Sequence, residues 1–143
     1  MGGDCLNTYT FDSISVGQKA SFSTVISSEK MEMFRSISGD CNPLHCDSGY
    51  AQEAGHPGVV VYGMLTASFL STLAGVYLPG KYSLIHSVEV KCAAPVYVND
   101  TLCVSGEVVE KNDTFRYIIV KCRITNQNNQ CVMRGKMQIG VRN

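Results

Sequence analysis

The stretch YGMLTASFLSTLAGVYLPG, residues 62–80, limits the possible folds more than any other part of the chain. Wound as an α-helix, it spreads Met64, Leu65, Phe69, Leu70, Leu73, Val76 and Tyr77 around most of its circumference, and its polar positions are only Thr and Ser. A helix that is apolar on nearly every side has to be enclosed by other elements. At 1.5 Å per residue the portion 63–77 is about 22 Å long, and Pro79-Gly80 stops it. No apolar run in the chain reaches the ~18–20 residues needed to span a bilayer. The enclosure must therefore come from the rest of the chain.

After this helix the apolar pattern changes to period two, the signature of strands. In 83–92, Leu84, His86, Val88, Val90 and Cys92 alternate with Ser87, Glu89 and Lys91. In 101–110, Leu102, Val104, Gly106 and Val108 share a face, and 114–125 is apolar on both faces in its middle. In 130–141 the shared face is Cys131, Met133, Gly135, Met137, Ile139 and Val141. The polar stretches 111–113 and 126–130 suit hairpin turns. Four consecutive strands behind one buried helix predict an α+β domain, an antiparallel sheet wrapped around that helix. The partly apolar outer face of the last strands points to a homodimer or higher homo-oligomer.

Ahead of the helix, 19–26 reads as a first strand. Ser27 or Ser28 then offers an N-cap to a helix that carries Met33, Phe34 and Ile37 as its apolar stripe and stops at Gly39. Asp47 caps a short helix through Glu53, ended by Gly55 and Pro57. These pieces form a short helical overhang over about 28–55. The whole chain, 1–143, reads as one domain.

Twelve basic and twelve acidic side chains balance, so there is no electrostatic footprint for nucleic acid or an anionic membrane. The N-terminal MGGDCL shows neither a signal peptide nor a myristoylation pattern. Seven cysteines, an odd number without CxxC spacing, read as small apolar residues in a reducing cytoplasm rather than a disulfide framework. Cys92, Cys103, Cys122 and Cys131 are the ones inside apolar-patterned segments.

The densest chemistry lies in SISGDCNPLHCD, residues 36–47. Turn chemistry explains most of it: Gly39 ends a helix, Asp40 or Asn42 makes an Asx-turn, and Pro43 prevents the helix from continuing. It leaves unexplained a carboxylate, Asp40, and an imidazole, His45, five positions apart on a stiffened loop, a pair able to relay a proton near neutral pH. Cys41, His45 and Cys46 have no partner Cys/His pair at metal-binding spacing, nothing marks Cys41 as an activated thiol, and there is no Gly-rich phosphate cradle. No metal or cofactor is expected. His56 is given no role, and His86 reads as a satisfied core or interface histidine.

SISGDCNPLHCDSGYA closely resembles the signature of the MaoC-like (R)-specific enoyl-CoA hydratases and acyl dehydratases, which have a hot-dog fold. Phe34, Gly39, Asp40, Asn42, Pro43, Leu44, His45 and Ala51 fit its pattern, and 62–70 and 79–102 resemble the central helix and the strand region behind it. The resemblance covers about 10–140. It implies hydration of a trans-2-enoyl thioester to the (R)-3-hydroxyacyl thioester, or the reverse, on coenzyme A or acyl carrier protein, within fatty-acid metabolism.

By the same resemblance, Asp40 and His45 activate one water, and Gly63, at the positive start of the buried helix, supplies the oxyanion donor. Asn42 organises the loop. Ser71 and Ala74, both small, lie beside the acyl chain. Tyr62 stands where the family commonly has His, and can still donate a hydrogen bond. Two other readings stay open: a hot-dog acyl-thioesterase, weakened because 63–77 carries no acidic residue, and an acyl-thioester binding module without catalysis.

Overall fold

The computed structural model describes residues 5–143. The expectation that the chain starts without a leader or lipidation signal falls largely on residues 1–4, outside the described residues. Five strands, β1 (Lys19–Val25), β2 (Ser83–Cys92), β3 (Thr101–Asn112), β4 (Tyr117–Thr125) and β5 (Cys131–Val141), form one sheet in the order β1-β3-β4-β5-β2. Every neighbouring pair is antiparallel. The sheet curls around helix α4 (Gly63–Thr72), as the pairing of an all-apolar helix with period-two strands requires.

Leu102, Val104 and Val108 of β3, Ile118, Val120, Cys122 and Ile124 of β4, and Met133, Met137 and Ile139 of β5 join Leu65, Leu70 and Leu73 in one buried cluster. Each large apolar side chain enclosed there contributes about 1.5–3 kcal/mol. Close helix–sheet contact depends on Gly106, where an added Cβ would come within 2.9 Å of Leu73 Cδ2 and 2.7 Å of Val120 Cγ1.

Three details of the helix and sheet differ from the sequence expectation. The central helix is α-helical only to Thr72, and Leu73–Tyr77 is a π-helical turn, closed by the Leu78 N–H on the Leu73 carbonyl at 2.8 Å. Its enclosure is also incomplete: Leu65, Thr66, Leu70, Leu73 and Ala74 are buried, but Met64 is 69% exposed and Ser68 and Ser71 are exposed as well. In β2 a bulge between Ile85 and Ser87 breaks the alternation, so Ile85 pairs with Ile139 and Val88 with Met137, on the core side. Leu84 pairs with Gly140 and faces the other way from Val88. A bulge adds one residue and reverses every later side chain, which a pattern count across it cannot register. His86 sits at this bulge, exposed, with Nδ1 3.1 Å from Gln138 Nε2, and is not a core residue.

The overhang consists of α1 (Ser28–Ser38), α2 (Pro43–Cys46) and α3 (Ser48–Glu53). Ser27 caps α1, its hydroxyl accepting from the Lys30 N–H, and Gly39 ends it at φ 75°. The buried residue of α1 is Met31, whereas Met33 is 53% and Ile37 83% exposed. The α1 stripe expected from Met33 and Ile37 thus points outward, because α1 leans on the domain through Met31 and Phe34. Helix α2 is new: Pro43 begins a helix instead of only preventing one, as its lost N–H is one that a first turn leaves unpaired anyway. Of the cysteines read as buried, only Cys122 is; Cys92 and Cys103 are exposed and Cys131 is half-buried. These three lie on edges or outer faces. The cysteines are free thiols.

Candidate active site

The loop between α1 and α2 is shaped by its own side chains. Asp40 Oδ1 accepts from the Asn42 N–H at 3.0 Å, an Asx-turn, and Asn42 Oδ1 accepts from the Leu44 N–H at 3.0 Å, capping α2. This short capped helix carries His45. The His45 Nδ1 lies 2.6 Å from the Val60 carbonyl. A carbonyl only accepts, so Nδ1 carries the proton, and in the neutral ring Nε2 keeps a lone pair for another partner. Val60 is itself fixed, its N–H donating to the Leu44 carbonyl at 3.0 Å.

Tyr62 ties this loop to the start of α4. It is 2% exposed, its ring is stacked on His45 with centroids 4.3 Å apart, and Phe34 packs on it at 4.9 Å. The Tyr62 hydroxyl donates to the Asp40 main-chain carbonyl at 2.7 Å. With that proton committed, the Cys46 thiol 3.6 Å away is the donor to the Tyr62 oxygen. Burial, then the Cys46 contact and the Asp40 charge, push the phenol up to about 12, with Arg35 opposing. The hydroxyl therefore stays a donor at every physiological pH.

Tyr62 stands at the N-cap position of α4 but lacks the short polar side chain that caps a helix, and the first turn has no side-chain cap. The first N–H groups of a helix lack intrahelical partners and carry its positive end. They open on a cavity of about 180 Å³ lined by His45, Val60, Gly63, Thr66, Cys92 and Val96 among others. A Cβ on Gly63 would lie 3.4 Å from Cys92 Sγ, an ordinary contact, and the backbone there needs no positive φ. Neither conformation nor packing demands glycine at this position. What its bare Cα preserves is space between the helix tip and Cys92.

The sequence-derived set is distributed unevenly. His45 and Gly63 share the cavity, with Asp40, Asn42 and Tyr62 bound to the same loop. Asp40 is exposed and is not among the residues lining the cavity. Ser71 is exposed and Ala74 fully buried, and neither borders the cavity. No sequence signal picks out Thr66, one of four hydroxyl residues on α4 with Ser68, Ser71 and Thr72. His56 meets the Tyr97 hydroxyl at 2.9 Å, and neither residue lines the cavity. Among the described residues no His/Cys/Asp/Glu group has the arrangement of a metal site, and no helix is long and apolar enough to cross a membrane.

An antiparallel sheet curled around one helix, with a histidine-bearing loop held against the helix tip, defines a hot-dog protein. Residues 12–130 match the MaoC-like domain model, and the chain belongs to that family. It is 36% identical over 121 residues to an (R)-specific enoyl-CoA hydratase of Rhodospirillum rubrum, covering 81% of this chain and 84% of that one. It is 32% identical over 124 residues to an (R)-specific enoyl-CoA hydratase of Aeromonas caviae, covering 87% and 92%. The unliganded R-hydratase of Pseudomonas aeruginosa superposes with a TM-score of 0.90 at 28% identity, over 95% of this chain and 87% of that one.

Proposed function

We propose that the protein is an (R)-specific 2-enoyl-thioester hydratase, and in reverse a 3-hydroxyacyl-thioester dehydratase, a hydro-lyase that needs no cofactor. The observation that carries the reading is the fixed tautomer of His45, whose unprotonated Nε2 belongs to a ring lining the same cavity as the uncapped tip of α4. The names borne by the relatives from Rhodospirillum rubrum and Aeromonas caviae support it.

In hydration, water oxygen bonds to C3 of the enoyl thioester, the C2–C3 double bond opens, and negative charge develops on the thioester oxygen. The amide of Gly63 meets that charge. Asp40 and His45 hold the water; the proton taken from it as its oxygen bonds to C3 is the one returned to C2 from the same side, so that both residues end as they began. Tyr62 keeps the two together, through the Asp40 carbonyl and the His45 ring, and Asn42 holds the loop's turn. Ser71, exposed on the helix, flanks the acyl chain further along, and the small, fully buried Ala74 backs that stretch from the core. The substrate is a thioester of coenzyme A or acyl carrier protein, and the setting is cytoplasmic fatty-acid metabolism. The test is loss of the enoyl-thioester absorbance by the parent protein on crotonyl and longer substrates, with the chirality of the product; no turnover of any of them contradicts the reading.

The working form is a homodimer. Edge strand β2 leaves Val88 45% exposed on its core side, and Met64 and Ser71 of α4 are uncovered nearby. A second copy seated there covers this surface beside the cavity that Cys92 and Gly63 border. Sedimentation of the parent gives twice the chain mass of 15.6 kDa, and Val88→Lys shifts it toward the single chain. A parent that sediments as one chain at micromolar concentration contradicts the dimer.

A further inference from the structure

Thr66 is the described residue whose side chain is least accounted for by the fold. It is 1% exposed, and its Oγ1 is a buried side-chain polar atom without a hydrogen-bond partner. Buried hydroxyls are nearly always paired, and an unpaired one calls for a specific explanation. Valine has the same shape and would remove the defect at no cost in packing. The hydroxyl is also not isolated in apolar core, since Thr66 lines the cavity shared by His45 and Gly63.

The position within α4 states what that hydroxyl can reach. Thr66 lies three residues after Gly63, on the same helical face. Helical side chains lean toward the N-terminus, so the Thr66 side chain covers the turn that begins at Gly63. Its own N–H is used inside the helix, donating to the Tyr62 carbonyl at 3.1 Å. The hydroxyl is the unspent group. Of the remaining cavity wall, Val60, Val61, Ala94, Pro95, Val96 and Val132 carry no side-chain polar atom, and neither the Cys92 thiol nor the Met133 thioether is hydrogen-bonded to it. A ligand atom in the cavity is the partner left.

Resting on the hydratase reading above, we infer that the Thr66 hydroxyl donates a hydrogen bond to the thioester carbonyl oxygen of the acyl substrate, as a second donor beside the amide of Gly63. Two donors converging on one oxygen fix the plane of the thioester, and with it the face of C2 and C3 turned to His45. The bond strengthens as charge builds on that oxygen, so its loss falls on kcat more than on KM. The carrier of the thioester is irrelevant to this contact, which concerns only the carbonyl shared by all such substrates.

The experiment compares Thr66→Val and Thr66→Ser with the parent in three readouts: thermal midpoint, kcat and KM on crotonyl-CoA, and affinity for butyryl-CoA, a saturated thioester that cannot react. Thr66→Val is expected to melt at or above the parent temperature, since it removes an unpaired buried hydroxyl. It is also expected to lose about 10- to 100-fold in kcat, short of or equal to the loss of a full oxyanion donor, and Thr66→Ser restores most of that loss. Lower melting of Thr66→Val with unchanged kcat overturns the inference, because it means the hydroxyl bonds within the protein. Unchanged values in all readouts overturn it as well. A parent that binds butyryl-CoA but turns over nothing refutes the hydratase reading separately; in that event weaker butyryl-CoA binding by Thr66→Val upholds the contact, and equal binding removes it.

Discussion

The Tyr62 hydroxyl reaches across twenty-two positions to donate to the main-chain carbonyl of Asp40 at 2.7 Å, and the same ring stacks on His45 at 4.3 Å. One buried side chain at the mouth of the central helix thus orients both ends of the Asp40–His45 loop.

Tyr62→Phe keeps the ring and deletes the hydrogen bond. Loss of one such bond costs about 0.5–1.5 kcal/mol of stability. The variant is expected to fold, to melt a few degrees lower, and to turn over enoyl thioester several-fold more slowly because the Asp40 end of the loop is released. Melting curves and initial rates check this; unchanged values in both deny Tyr62 a role in holding the loop.

Gly63→Ala separates packing from chemistry. Its added methyl lies 3.4 Å from Cys92 Sγ, alanine favours helix, and no positive φ opposes it, so the midpoint of thermal unfolding is expected to hold or rise. Turnover is expected to fall by about 10-fold or more, because the methyl fills the space where the thioester meets the amide. Parent-like rates in a well-folded variant remove Gly63 from the site.

Alkaline pH should weaken the fold, with a sign set by two groups. Burial pushes the Cys122 thiol from 9.0 up to about 12, and Tyr62 goes from 10.0 to about 12. Between the ordinary and the raised value the unfolded chain has released the proton and the folded chain still holds it. Stability is therefore fully present below pH 9 and falls as pH rises towards 12. Thermal midpoints measured from pH 8 to 10.5 should decline, and the decline between 9 and 10 should be shallower in Cys122→Ala. Equal slopes in parent and variant contradict the assignment to Cys122.

Much of this architecture is legible in the residues because the strongest signals are local and repeated. Leu102, Val104 and Val108 alternate and are buried as alternation demands; the Ser27 cap and Gly39 stop frame α1 as their chemistry requires. What was not legible arises from single-residue irregularities and from tertiary demand. The bulge at Ile85/Ser87 carries no residue signal, so Leu84 reads as core and is not. The outward tilt of Met33 and Ile37 depends on how α1 lies on the domain. Thr66 looks like any helix threonine until the emptiness around its hydroxyl is seen. At the site, Asp40, Asn42 and His45 stood out through loop chemistry and the resemblance, while the tautomer of His45 required the position of the Val60 carbonyl.

The most direct measurement is turnover of crotonyl-CoA by Asp40→Asn and His45→Ala beside the parent, with thermal midpoints on the same samples. Asparagine retains the Oδ1 that accepts from the Asn42 N–H, so Asp40→Asn changes the chemistry without undoing the turn. The predicted result is a rate loss of about 100-fold or more in each variant, with the Asp40→Asn midpoint near that of the parent. Parent-like turnover in either variant would contradict the assignment of water activation to this pair.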